Sequence, residues 1–411
     1  MISPYFKRAF ALFFVLKAKK KSLMYDFNKI IHREDTNAYK LDLREKNFGT
    51  NDVIPLWVAD MDFEAPPMVQ KAIQARAAHE IYGYTIRKDA FAQSIVDWVQ
   101  YKHQWTIEKS WIEYSPGVVP ALVMSVLAFS QPGEGIIIQP PIYPPFYSVV
   151  SGNDRKLVEN PLVEIAGKFH INFKQLEELA SKPENKMLLF CSPHNPTGRV
   201  WTEEELKKVN DICSKYNVFV LSDEIHADLT LFGNQHIPFA TLNDRAAQNC
   251  LTFMAPSKTF NIAGFSTSFV VGSNPDLMAA YRQKQNALQL HMGHLFSGVA
   301  LESAYNHGKA WLKELIGYIE ENILFVEQFI NAEIPGVTFF RPEATYLIWM
   351  NFKEWGMSQK ELKHFMIHEA GVGLNDGLSF GKQGDGFLRM NVASPRSILK
   401  KALRKIAQAR K

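Results

Sequence analysis

The chain predicts an α/β fold, a mainly parallel sheet covered by helices, followed by a smaller α+β C-terminal domain. Three observations carry this. Between residues 66 and 273, short apolar runs of strand length alternate with segments of helical periodicity. The strand candidates are apolar throughout, as in a sheet buried on both faces. After residue 275 long helical patterns are followed by short strands, the layout of a second domain.

The elements follow in order. "PPMVQKAIQARAAHE" (66–80) has apolar residues at helical spacing behind two prolines, a good helix start. "VVPALVMSVLAFS" (118–130) predicts a buried helix closed by "QPGEG", and "GIIIQP" (135–140) a short buried strand. "KMLLFCSP" (186–193) is a second strand. "TEEELKKVNDICSKY" (202–216) is a helix with Thr202 and Glu205 in capping-box spacing. "NVFVLSDEI" (217–225), "CLTFMAP" (250–256) and "TSFVVGS" (267–273) are further strands. Helices are then predicted over "PDLMAAYRQKQNALQL" and "KAWLKELIGYIEENILFVEQFINA", and strands over "GVTFF", "TYLIWMNF" and "GFLRMNV".

Composition narrows the function classes. Of 411 residues, 46% are hydrophobic and 21% charged, which is globular rather than disordered. The net charge of +4 gathers at the ends, in 17–21 and 400–411, and no basic groove with interleaved aromatics is present, so a nucleic-acid partner is not expected. Cys191, Cys213 and Cys250 form no C-x-x-C pair and no disulfide framework, which suits a reducing cytosol. In residues 1–23 the apolar run Ala9–Leu16 is too short to span a bilayer. Lys17 follows at once, without a small-x-small cleavage site, so a non-globular extension ahead of Met24 is expected rather than a secretory signal.

Polar segments sit at strand ends: "SPG" (115–117), "PPIYPPF" (140–146), "SPHNPTG" (192–198), "SDEIH" (222–226) and "APSK" (255–258). In open α/β sheets ligands bind outside the carboxyl ends of strands. Gly117 before a helix start suits an anion, although many such glycines serve turn geometry alone. Asp223 is either a capping acid or an aspartate held to pair with a cationic ligand nitrogen, and Asn195 either a turn residue or a ligand. Arg389, inside the apolar "FLRMN", is either a structural ion pair or a clamp for a substrate carboxylate. Lys258 is framed by Pro256, Phe260 and Phe265, a poor setting for an ordinary surface amine. His291 and His294 have helical spacing but no acidic partners nearby in sequence, so no metal is expected.

Taken together and in order, "NPTG", "SDEIH", "SKTFN" and "LRMN" with Pro395 and Arg396 resemble the fold-type-I pyridoxal phosphate enzymes of the class I/II aminotransferase superfamily, over essentially all of 24–411. The resemblance implies that Lys258 carries pyridoxal 5'-phosphate as a Schiff base and acts as the base at the substrate α-carbon. Asp223 would face the pyridine nitrogen, Asn195 the phenolic oxygen and the substrate, and Tyr143 the ring. The N–H groups of Val118 and Val119 after Gly117, with the Ser257 hydroxyl, would hold the phosphate, and Arg389 the substrate carboxylate. Tyr84, in "YGYT", matches a tyrosine that reaches the neighbouring subunit's site, which implies a homodimer. It also implies a cytoplasmic enzyme with a segment 24–60 belonging to the small domain, a large cofactor-binding domain 61–288 and a small domain 289–411.

Two departures refine this. His226 stands where the general pattern has a tyrosine, as a replacement for its hydroxyl or as a plain structural histidine, and Ser266 where it has an arginine for the phosphate. With "GVV" and "ADMDF" (59–63) these resemble the cystathionine β-lyase-like subgroup. The expected reaction is therefore carbon–sulfur β-elimination from cystathionine or cysteine-type substrates to a thiol, pyruvate and ammonia. An aminotransferase on the same scaffold, or a non-catalytic regulator, are the alternatives.

Overall fold

The computed structural model describes residues 24–411; the expected extension 1–23 lies outside the described residues. In chain order the strands are β1 (Ile54–Pro55), β2 (Ile112–Ser115), β3 (Gly135–Ile138), β4 (Lys156–Glu159), β5 (Val163–Ile165), β6 (Lys168–His170), β7 (Asn185–Cys191), β8 (Phe219–Asp223), β9 (Cys250–Met254), β10 (Ser268–Val271), β11 (Thr338–Phe339), β12 (Leu347–Asn351), β13 (Val372–Gly373), β14 (Asn375–Asp376) and β15 (Phe387–Asn391).

Seven of them form the main sheet in the order β2-β10-β9-β8-β7-β3-β4. Strands β9, β8, β7, β3 and β4 pair in parallel, and β10 runs antiparallel to both β9 and β2. The apolar runs of the sequence are explained by burial on both faces. Ile136, Ile138, Leu189, Leu221 and Leu251 pack under the helix Val118–Phe129, whereas Ile137, Leu188, Phe190 and Val220 pack against the helix Glu203–Lys215. The capping box of the latter helix forms as spaced: Thr202 Oγ1 accepts the Glu205 N–H at 3.2 Å and Glu205 Oε2 accepts the Thr202 N–H at 2.9 Å. Because β2 and the five parallel strands point the same way, the predicted polar loops after β2, β3, β7, β8 and β9 open on one edge of the sheet.

The second sheet, β11-β12-β15-β14, is antiparallel. The N-terminal stretch returns to its neighbourhood, since β1 pairs in parallel with β13 (Ile54 opposite Val372). The long helix Lys309–Glu333 packs on the C-terminal helix Arg396–Ala409. The helix Leu295–His307 instead packs on Pro67–Ala77 and Asp89–His103, with Tyr305 stacked on Trp98 at 4.9 Å. We therefore propose that the domain division falls near Gly308, later than the expected 288/289, with 24–60 grouped with the C-terminal part.

Thr202→Ala removes one half of the capping box, and a loss of about 1 kcal/mol is expected in urea unfolding, with no change in any activity of the protein. A loss below the error of the measurement would mean that tertiary packing alone holds this helix start.

Candidate active site

The loops at the sheet edge enclose a cavity of about 230 Å³. Its walls include Gly117, Val118 and Val119 after β2, Tyr143 after β3, Asn195 after β7, Asp223 and His226 from β8, and Ser257 and Lys258 after β9. Nine of the residues expected from sequence thus share one space.

Asp223 ends β8, where the strand delivers its side chain to the cavity floor; its carboxylate accepts the Ile225 N–H at 3.1 Å. Burial pushes its pKa up to about 7, helped by the neighbouring Glu224 charge and opposed by the Ile225 N–H and by Lys258. Glu224 itself is fully engaged: it takes hydrogen bonds from Ser222, the Phe239 N–H and His236. The acid that faces the cavity is Asp223.

Lys258 lies on the short helix Pro256–Thr259, immediately after β9. Its Nζ donates to the Ala59 carbonyl at 2.6 Å. Burial, then the Arg389 charge, lowers the ammonium pKa to about 8, while Asp60 and Asp223 act in the opposite direction. An amine in that range is partly free base near neutrality, which a base at carbon requires.

Arg389 does not line the cavity but stands behind Asn195. It is buried on β15, donating to Asn195 Oδ1 at 2.9 Å, Asn375 Oδ1 at 2.7 Å and the Trp57 carbonyl at 3.1 Å, with its plane over Phe380 at 4.8 Å. Among the described residues no carboxylate pairs with it, and its Nε has no hydrogen-bond partner. Burial lowers its pKa to about 10. A buried cation with only neutral acceptors is costly unless an anion joins it. This favours the carboxylate clamp over the structural ion pair.

At the opposite end the helix Val118–Phe129 begins after Gly117 without a side-chain cap, so its first N–H groups are free for an anion. Ser257, Ser266 and Thr267 line the same region. Ser266 adopts the left-handed conformation (φ 47°), and the buried Thr267 hydroxyl has no partner among the described residues. The sequence analysis did not single out Thr267; its only signal was the hydroxyl pair Ser266–Thr267 at the position of the missing arginine.

His226 is buried with Nδ1 unpartnered among the described residues, and burial with the Lys258 and Arg389 charges lowers its pKa to about 3, so the ring is neutral. An open nitrogen facing the cavity favours a ligand role over a purely structural one. Tyr143 contributes a wall, its phenol pKa raised by burial. Tyr84 is not brought into the site: it is 96% exposed on the irregular stretch 79–88.

The profile of the family "Aminotransferase class I and II" matches residues 51–406. The chain belongs to that family. Within it, the chain is 41% identical over 386 residues to cystathionine beta-lyase PatB of Bacillus subtilis, covering 93% of this chain and 99% of the relative. Its fold superposes on the structure of cystalysin from Treponema denticola, titled as containing a pyridoxal 5'-phosphate cofactor, with TM-score 0.91, 36% identity and coverage of 94% and 98%. The PLP-bound C–S lyase of Staphylococcus hominis gives TM-score 0.87 and 32% identity, with coverage of 94% and 98%.

The cavity fits the phosphorylated pyridine aldehyde that this aminotransferase-family architecture implies. Four unmet groups match three of its functions: the uncapped helix start and the Thr267 hydroxyl for a phosphate, the raised Asp223 carboxyl for a cationic ring nitrogen, and the lowered Lys258 amine for an aldehyde. Lys258→Ala is expected to abolish turnover and the visible absorbance that depends on the covalent lysine–cofactor linkage; normal turnover would remove Lys258 from the site. Thr267→Val leaves that absorbance in place but is expected to weaken cofactor retention about tenfold in dialysis against phosphate buffer, the scale of one hydrogen bond to a charged group.

Proposed function

We propose that the protein is a pyridoxal phosphate-dependent carbon–sulfur β-lyase that converts cystathionine or a cysteine-type substrate to a thiol, pyruvate and ammonia. One observation carries the reading: the Lys258 amine, the Asp223 carboxyl and the Asn195–Arg389 pair meet around a single cavity. The similarity to PatB and to the C–S lyases supports the lyase branch of the family.

The bound cofactor supplies an electron sink for the pair left at the substrate α-carbon. The chain's residues supply the rest. Arg389 takes the substrate carboxylate in a two-point grip, with Asn195 orienting it, and this aims the Cα–H bond. Lys258 Nζ removes the α-proton as free base; the pair left at the α-carbon becomes the Cα–Cβ double bond as the β-thiolate departs with the electrons of the C–S bond, and the released enamine takes up one water to give pyruvate and ammonia. Asp223, ionised beside a cationic ring nitrogen, keeps that nitrogen protonated. His226 stays neutral beside Lys258 and Arg389 and adds no competing positive charge. Apolar walls from the buried Val118 and the half-buried Val119 and Tyr143 limit water, so charges act in a reduced dielectric.

We further propose a homodimer working in the cytoplasm. Ile81, Tyr82, Tyr84 and Ile86 are 62–96% exposed within one short stretch, an apolar surface that suits a second copy and would let Tyr84 reach the partner's site. The three cysteines are free and buried, and no helix among the described residues is long and apolar enough to cross a membrane.

Purified protein given L-cystathionine without a keto acid should release pyruvate and thiol in equal amounts. Amino transfer to 2-oxoglutarate without pyruvate release would replace the lyase reading by an aminotransferase. Arg389→Ala is expected to raise KM about 10- to 100-fold for every α-amino acid substrate, whatever its leaving group. An effect confined to bulky thiols would move Arg389 away from the carboxylate.

A further inference from the structure

The segment Trp57–Phe63, which contains "ADMDF", has almost no regular structure, yet its polar groups are held by side chains from distant parts of the fold. Arg389 donates to the Trp57 carbonyl, and Asn391 donates to the Val58 and Asp60 carbonyls at 2.6 Å each. Asn261, three residues after Lys258, accepts the Met61 N–H at 2.9 Å and donates to the Met61 and Phe63 carbonyls at 3.1 and 2.8 Å. The Asp62 N–H donates to the Ala393 carbonyl at 2.9 Å. One carbonyl is turned toward the cavity: that of Ala59, which accepts both Lys258 Nζ at 2.6 Å and the Tyr346 hydroxyl at 3.0 Å.

The carboxylates of this strap are also fixed. Asp60 Oδ2 pairs with Arg33 Nη2 at 2.6 Å, and Asp62 Oδ1 with Arg33 Nη1 at 2.7 Å. The fully buried Lys40 lies 2.9 Å from Asp62 and 3.5 Å from Asp60. Two carboxylates against two cations leave the cluster close to neutral, yet its members stand at different depths, and Asp60 is the one adjoining Ala59.

We propose that the 57–63 strap is the dock for the Lys258 amine whenever that amine is free, with the Ala59 carbonyl as its resting acceptor and Asp60, held by Arg33 and Lys40, as the charged residue next to that acceptor. This rests on the reading of Lys258 as the catalytic amine. When substrate occupies the cofactor, Lys258 must be kept close, in one rotamer and ready to exchange a proton; a carbonyl acceptor on a cross-linked strap does that without competing as a base. The groups that face Lys258 are Arg389 from β15, Asp223 and His226 from β8, Tyr143 after β3, Tyr346 before β12 and Asp60 from the strap. Arg389 disfavours the ammonium, and Asp60 and Asp223 favour it. Asp60 is therefore a lever on Lys258 that is not among the residues lining the cavity. The strap also links substrate to base, because Arg389, the carboxylate clamp, holds Trp57 two residues before Ala59.

The test is a pH titration of the free Lys258 amine in the full cofactor-stripped chain, read by the pH dependence of its rate of capture of added pyridoxal phosphate, alongside the acid limb of kcat. Asp60→Asn is expected to move both midpoints down by about one pH unit, since it removes an opposite charge. Arg33→Gln, which leaves Asp60 in place but takes away its cation at a partly exposed position, is expected to move them up by about half a unit. Opposite signs at the two positions are not a signature of general loosening of the fold. Unchanged midpoints, or shifts of the same sign, overturn the proposal. Arg33→Gln alone decides it if Asp60→Asn does not fold. If the two variants show these shifts while the wild-type protein loads cofactor but releases no thiol from cystathionine, the lyase reading is overturned and the dock stands.

Discussion

Three charged groups held out of water around one cavity set the terms for the whole molecule. Lys258, Asp223 and Arg389 are each displaced from their ordinary titration ranges, and burial is the first cause in every case. None is fully neutralised by its protein neighbours. Asp223 takes a single backbone N–H among its described contacts, Lys258 one carbonyl, and Arg389 only neutral oxygens. A stable fold can keep such groups only where the rest of the architecture holds them rigidly. Their unmet demand is what makes them a site, because a ligand carrying a cation, an electrophile and an anion would satisfy all three.

The main sheet supplies that rigidity. Asp223 and Lys258 leave adjacent strands, β8 and β9, at the same edge, and Asn195 follows β7 beside them. The spacing of these groups is therefore inherited from strand separation rather than from loop conformation. Arg389 comes from the other sheet and reaches the cavity through Asn195. With Arg389 as the proposed clamp and Lys258 as the proposed base, substrate binding would be coupled to the relative placement of the two sheets, which the 57–63 strap bridges with bonds to β15, to Asn261 and to Lys258.

The absence of the phosphate-binding arginine fits the same picture. Ser266 takes that position in a left-handed turn, and Thr267 presents an unpartnered hydroxyl beside an uncapped helix start. On the proposed reading, anion binding there falls to N–H and O–H dipoles. One positive charge fewer near Lys258 leaves Arg389 as the main cationic influence on its amine, and Asp60 as an effective counterweight.

By itself the sequence determined β3, β7, β8, β9 and β10 and a mainly parallel sheet, because apolar runs joined by helices are buried on both faces; the polar loops at their carboxyl ends converge once the strands are parallel. Short polar or edge strands such as β4 (Lys156–Glu159) carry no such run, and the antiparallel direction of β10 is not written in its apolar sequence. Helices that carry no strong periodic signal were not legible. Asp89–His103 and Leu295–His307 are defined by what they pack on, Trp98 against Tyr305 included. Only the tertiary structure decided the partners of each charged group. It placed Arg389 behind Asn195 instead of on the cavity wall, assigned Glu224 to His236, brought Ala59 to Lys258 across 199 residues of chain and left Tyr84 outside the site. Side-chain pairing across such sequence distances has no local period, so nothing in the linear pattern encodes it.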